Sequence, residues 1–177
     1  MNQKKILLIP LLFILFSGFL SYQEVIVYGA LQAKGQILIL FKARPIATYL
    51  DDADYPDSLK LRIQQIQQIK AYSEKIGLKP TNNYTSLYDQ KNKVSLWNLS
   101  ACQPYKFENK TWYFPFLGSF GYKGFFDLSQ AQIEREYLEK EGFDTRIRSV
   151  NAWSTLGWFK DPILSNLLNK TEAQIAE

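Results

Sequence analysis

The stretch from Ser129 to Val150, SQAQIEREYLEKEGFDTRIRSV, changes period partway along. Ser129 and Gln132 have the spacing of a capping box, in which a hydroxyl and an amide satisfy orphan backbone N–H groups at a helix start. Ile133, Tyr137 and Leu138 follow at helical spacing and share one apolar face. Gly142 can take the left-handed conformation that closes a helix. From Thr145 to Val150 the residues alternate, with Arg146 and Arg148 on one side and Ile147 on the other, as in a half-buried strand. A helix leading into a short alternating strand predicts an α+β body.

The same contrast runs through the chain upstream. Val94 to Ala101 and Thr111 to Phe116 read as strands, and Asn92-Lys93 can turn the chain before the first. Gly118, Gly121 and Gly124 interrupt an aromatic run that ends at Phe125-Phe126. They permit tight turns or close backbone approach. No Gly-Lys-Ser or Gly-Lys-Thr follows, so they do not form a phosphate loop. Earlier, Leu59, Ile63, Ile66, Ile69 and Ile76 recur with Gln and Lys between them, the clearest amphipathic helix in the sequence. Asp57 or Ser58 can cap it, and Gly77 can end it. Lys79 to Tyr84 is a loop, and Ile46, Tyr49 and Leu50 after Pro45 give one or two helical turns. Downstream, Asp161-Pro162 predicts a short helix through Leu168, with proline in its first turn. Thr171 and Glu172 begin another helix.

At the N-terminus, Lys4 and Lys5 precede a run without charge from Ile6 to Gln23. Its length is near the lower limit for spanning a bilayer. A cleaved signal peptide would want small residues at its end, and Ser17-Gly18-Phe19-Leu20-Ser21 offers bulky ones. Phe16-Ser17-Gly18-Phe19 puts Phe where a lipid-modified Cys would be needed. The sequence therefore favours an uncleaved transmembrane helix over a signal helix, prolonged by Val25 to Tyr28, with Tyr22 and Tyr28 at the interface. Lys4 and Lys5 then hold the N-terminus in the cytoplasm and place the body in the periplasm or exterior. Cleavage would make it a secreted protein instead. Gly29 to Gln36 is small and polar. Ile37 to Phe41 is too short to span and fits either a strand or a buried helix. The expected division is a membrane anchor or signal over residues 1–28 and a body over 29–177.

Composition excludes several chemistries. The chain has 177 residues, 46% of them hydrophobic and 15% aromatic, with a net charge of +4. That length supports one core-forming domain. No basic stripe interleaved with stacking aromatics appears, so no nucleic-acid partner is expected. There is no histidine and one cysteine. Serine and cysteine devices that need an imidazole base are thereby excluded. Cys102 cannot form an intrachain disulfide and reads as a small buried hydrophobe. The acid pairs Asp51-Asp52 and Glu139-Glu141 lie in polar surroundings and read as solvated. Taken alone, the residues yield no catalytic and no metal-binding group.

Several longer segments are distinctive: Leu96-Trp97-Asn98, Thr111 to Gly118, Gly121 to Asp127, and Ala152-Trp153-Ser154-Thr155-Leu156-Gly157-Trp158-Phe159-Lys160-Asp161-Pro162-Ile163-Leu164-Ser165. Together with Gln32 to Gln36 and Ala43 to Ile46, they resemble a bacterial family of predicted aminopeptidases, membrane-associated proteins assigned to the zinc metallopeptidases. The resemblance covers essentially the whole sequence. It implies a fold with an N-terminal transmembrane or signal helix, then a helical segment, then a small mixed sheet with flanking helices. It implies removal of N-terminal residues from peptides, with a membrane and a peptide as partners. In that family a helix carrying His-Glu-x-x-His follows, whose imidazoles hold zinc and whose Glu is the general base. Thr171 to Glu177 resembles the start of that helix, and the 177 residues end before the motif. The expectation is thus an incomplete peptidase domain that has no cofactor of its own, zinc being implied only for the complete family member. The alternatives are a tethered peptide-binding module and a non-functional truncated product.

Zinc peptidases of this kind commonly hold peptide by strand addition. Asn151 to Trp158 is the candidate strand, or the loop beside it, with Ser154, Thr155, Gly157 and Trp158 as substrate-binding candidates. The competing expectation is that Trp153, Leu156, Trp158 and Phe159 serve only in packing. Loss of a covering helix would leave an apolar surface around Trp153, Leu156, Phe159, Ile163 and Leu167.

Overall fold

A computed structural model describes the backbone of residues 3–91, 93–114, 117–155 and 157–176, and the side chains from Tyr22 to Ile175 within those ranges. The sequence enters as one long helix, α1 (Gln3–Lys42), interrupted only by non-helical torsions at Tyr22 (φ −118°, ψ 15°). Ile37 to Phe41, open to two readings in the sequence, are helical. Side chains at 28, 36 and 39 fall along one face and meet the body: Tyr28 and Ile39 join hydrophobic clusters, and Gln36 is buried. Gly35 is what allows this approach, because a Cβ there would overlap the Phe126 ring. The opposite face, with Ala30, Ala33, Lys34, Ile37, Leu38 and Phe41, lines a shallow apolar groove and points away from the body. Phe41 is 87% exposed.

After the two-residue strand β1 (Arg44–Pro45) come the short helix α2 (Ile46–Leu50) and the amphipathic helix α3 (Asp57–Lys75). Pro56, not Asp57 or Ser58, occupies the cap position, with no side-chain cap bond. Asp57 is instead the first helical residue, where its carboxylate favours the positive end of the helix dipole. Ile63 and Ile66 are buried as their spacing requires, whereas Ile76 is exposed beyond the helix end. Gly77 follows with φ +104°, a left-handed conformation cheap only for glycine.

The remaining elements are β2 (Ser86–Tyr88), β3 (Trp97–Cys102), β4 (Trp112–Phe114), β5 (Gly118–Phe120), β6 (Lys123–Phe125), α4 (Leu128–Lys140), β7 (Asp144–Ser149), β8 (Ile163–Leu164), a 3-10 turn (Ser165–Asn169) and α5 (Glu172–Ala176). They build small sheets. Antiparallel β6-β3-β7 pairs Trp97 with Phe125 and with Ser149, and Leu99 with Ile147. β4 and β5 form a hairpin. β1-β2-β8 is mixed, with Leu87 beside Ile163 in the parallel pair. The architecture is α+β with an N-terminal apolar helix, as the sequence implies. The strand expected over Thr111 to Phe116 is observed from Trp112 to Phe114; Pro115 and Phe116 lie outside the described residues, as does Asn92 of the Asn92-Lys93 turn.

Two local expectations are corrected. The cap of α4 is Asp127, whose carboxylate accepts from the Ser129 N–H and the Ser129 hydroxyl, each at 2.8 Å, in place of a Ser129–Gln132 box. Asp161-Pro162 does not open a helix. The Tyr84 N–H donates to the Asp161 carbonyl at 2.7 Å, and Ile163-Leu164 continue as β8. Both β8 side chains are 1% exposed, so the pair is buried on both faces, which suits a covered strand better than a surface helix turn.

Three clusters form the interior. Leu99, Ala101, Trp112, Phe125, Ala131 and Leu138 fill the space between α4 and β6-β3-β7. Ile63, Ile66, Leu87, Ile163 and Leu168 join α3 to the mixed sheet. Ile39, Leu96 and Leu164 seat α1, with Phe126 and Trp153 packed alongside. Tyr28 reaches the first cluster, where its hydroxyl donates to the Gly124 carbonyl at 2.8 Å and its ring stacks on Phe114. Lys123 lies over the Tyr28 ring and pairs with Glu134 at 2.8 Å, while Trp112 Nε1 donates to the other Glu134 oxygen. Gly35→Ala should therefore lower stability by about 1–3 kcal/mol through overpacking against Phe126. Gly29→Ala, with nothing within 4 Å of the added atom, should raise it by up to about 1 kcal/mol. Thermal unfolding of the two variants side by side checks the pair of opposite signs.

Candidate functional site

Residues 151–155 and 157–162 have loop conformation and no strand, and one buried carboxylate shapes them. Asp161 is 1% exposed. Its Oδ1 accepts from the Thr155 hydroxyl at 2.6 Å and the Thr155 N–H at 3.1 Å. Asn83 Nδ2 reaches Oδ2 at 3.4 Å, and the Asp161 N–H donates back to Asn83 Oδ1 at 3.1 Å. The Phe159 N–H donates to the Thr155 hydroxyl oxygen at 3.1 Å, and the Trp158 N–H to the Thr155 carbonyl at 3.1 Å. Gly157 has φ +84°, which this tight return needs. Burial, and secondarily the charge of Asp161, pushes the Tyr84 phenol above its ordinary pKa.

The four substrate-binding candidates thus have different places. Thr155 is held by Asp161, and Gly157 makes the turn. Ser154 is exposed, and Trp158 stands out from the loop at 71% exposure. None of the four lines the open cleft beside this loop. Trp153 packs its ring against Phe126, 4.5 Å between centroids. Ile163 is buried and Leu167 half-buried, so the expected apolar surface is largely internal, with Phe159 exposed and Leu156 outside the described residues.

The open cleft that does exist lies just upstream. About 400 Å³ in volume, it runs between the end of β7, the first residues of the loop, and the 3-10 turn with α5. Asn98, Arg148, Ser149, Asn151, Lys170 and Gln174 supply its polar wall, and Val150 and Leu167 part of its apolar one. Arg148 stands there because the alternation of β7 turns both arginines to the exposed side of β6-β3-β7. Lys170 and Gln174 arrive through the return of the chain after β8, which local periodicity does not reveal.

A catalytic zinc centre does not fit these residues. Zinc sites draw on imidazole, thiolate and carboxylate. The chain has no histidine and one cysteine, and the described residues hold no group of three or more possible ligands. The buried carboxylate of Asp161 is committed to Thr155 and Asn83.

Fold and site together describe an α+β body seated on a long apolar helix, with a carboxylate-folded loop beside a polar cleft. A family model described as "Putative aminopeptidase" matches residues 27–177, and the chain belongs to that family. No curated protein and no solved structure matches it.

Replacing Asp161 by Ala strands the Thr155 N–H and the Asn83 amide in a buried place. It should cost about 2–3 kcal/mol, because hydrogen bonds to a charged group are lost together. Urea unfolding of the Asp161→Ala chain measures this; Thr155→Val, which keeps the backbone bond, should cost less.

Proposed function

We propose that this protein acts on the N-termini of peptides at a membrane, as a zinc-type aminopeptidase whose metal donors and general base come from outside these 177 residues. The observation that carries the reading is the family match over residues 27–177, which includes the whole loop folded by Asp161. What supports the peptide part of the reading is a cleft of about 400 Å³ with hydrogen-bonding and apolar walls. The implied metal would be held by residues this chain does not contribute.

The membrane part of the proposal rests on α1. Its segment Tyr22–Lys42 is long and apolar enough to cross a bilayer by length and composition, and its outward face stays apolar between Lys34 and Lys42. Lys42, at the end of that segment, keeps its ammonium group in the headgroup layer while its stem lies along apolar surface. Lys4 and Lys5 favour a cytoplasmic N-terminus, leaving the body in the periplasm or exterior.

The full chain, purified in nonionic detergent, tests this. Saturable binding of short peptides is expected, without stoichiometric zinc and without release of p-nitroaniline from aminoacyl p-nitroanilides. Stoichiometric zinc with hydrolysis that chelators abolish would overturn the assignment of the donors to other residues. Absence of any peptide binding would overturn the peptide reading itself. In cells, the chain should remain in the membrane pellet after an alkaline carbonate wash.

A further inference from the structure

The cleft beside the loop is lined by two cations, three amides and a hydroxyl, with Asn98 and Ser149 as the groups able to accept as well as donate. The Asn166 amide nitrogen donates to the Val150 carbonyl at 3.2 Å and to Asn151 Oδ1 at 3.1 Å. The carbonyl fixes which Asn166 atom is nitrogen, and that in turn fixes the Asn151 oxygen on the Asn166 side. The Asn151 NH2 is thereby left over. Gln174 is oriented the same way. Its Oε1 accepts from the Thr171 N–H at 3.1 Å, while the Gln174 N–H donates to the Thr171 hydroxyl at 3.3 Å. A backbone N–H can face only the oxygen of that amide, so its NH2 is also spare. Arg148 and Lys170 complete the polar wall, and neither has an ion-pair partner among the described residues. No acidic residue lines the cleft.

Two cations and no carboxylate in the lining, with the oxygens of Asn151 and Gln174 used inside the protein and their NH2 groups spare, favour an anion. The apolar wall beside them, Val150 and Leu167, favours an anion carried on an organic group over a bare inorganic ion. Arginine offers a planar fork that matches a carboxylate, and lysine adds a point charge. We infer that this cleft binds a peptide through a carboxylate, with Arg148 and Lys170 as its counter-charges and Asn151 and Gln174 as hydrogen-bond donors. This rests on the peptide reading above and adds to it a preference for peptides that bring a negative charge. The carboxylate has two possible sources, the C-terminus or an acidic side chain.

The test is calorimetric titration of the full chain in nonionic detergent. The probes are a tripeptide of apolar residues with both termini free, its C-terminal amide, the amide with one glutamate, and inorganic phosphate. The free acid, the glutamate-bearing amide, or both should bind about tenfold or more tighter than the plain amide. Whichever of the two binds identifies the source. Arg148→Gln and Lys170→Gln should each remove most of that preference, weakening the carboxylate-bearing peptide about fivefold or more relative to the plain amide. Lys140→Gln, on α4 and not among the residues of the cleft, should leave the preference intact. Arg148 is exposed, so its variant should keep the wild-type thermal midpoint. Equal binding of peptides with and without the carboxylate would overturn the carboxylate inference and leave the peptide reading standing. Failure of every peptide would overturn both. Phosphate binding as tightly as the acid peptide would overturn the organic ligand, and a preference that survives both cleft variants would overturn the location.

Discussion

The carboxylate of Asp161 is the constraint on which the second half of the structure depends. Burying an anion is costly unless donors surround it, and here they come from both sides of the chain. Thr155 gives its N–H and hydroxyl from the loop, and Asn83 gives its amide from the segment before β2. The same residue uses its main chain to hold Asn83 Oδ1 and the Tyr84 N–H. Loop closure and the start of the β2–β8 pairing are therefore one event. Ile163 lies beside Leu87 two residues beyond the point where Asp161 is docked against residues 83 and 84. The cluster that joins α3 to the mixed sheet follows from that register, because Leu87, Ile163 and Leu168 enter it together.

The helix α1 is apolar on two faces for two reasons. One face meets the body through Tyr28, Gly35 and Ile39, spanning the α4 cluster and the small cluster around Leu96. The other keeps Ala30, Ala33, Ile37, Leu38 and Phe41 in one groove with no contact to the body. Hydropathy adds the two faces together and cannot separate them. That is why Ile37 to Phe41 fitted both a strand and a buried helix when read alone. The discriminating sign is Gly35: in a helix glycine costs up to about 1 kcal/mol relative to alanine, and here it is where the Phe126 ring lies against the backbone.

Much of the fold was legible where local physics decides. The Leu59–Ile66 spacing, Gly77 and Gly142 as helix ends, and the Arg146-Ile147-Arg148 alternation all appear as read. Errors came where another partner, distant or adjacent, outbid the signal first read. Proline in a helix first turn is a good local choice, yet Ile163-Leu164 gained a parallel partner in β2 and complete burial. Asp127 displaced the Ser129 box because its carboxylate reaches both the N–H and the hydroxyl of Ser129. The site was less legible than the fold. The distinctive residues Ser154 to Trp158 attract attention, but Thr155 and Gly157 shape the loop. The cleft is assembled from Arg148, Asn151, Lys170 and Gln174, whose only sequence trait is polarity. Their meeting depends on β7 and the 3-10 turn arriving at one place, which is tertiary information.

The described groups are arranged for holding a ligand more than for moving protons. A general base needs a free lone pair and a pKa near the working pH. Asp161 lacks the first, because its oxygens are taken by Thr155 and Asn83. Tyr84 lacks the second, because burial holds its phenol neutral beyond the usual tyrosine range. The cleft itself contributes donors and positive charge. Such groups orient an anionic group well, but a cation gives up no lone pair. For the proposed function, the part these residues can play is to hold and orient an anionic ligand.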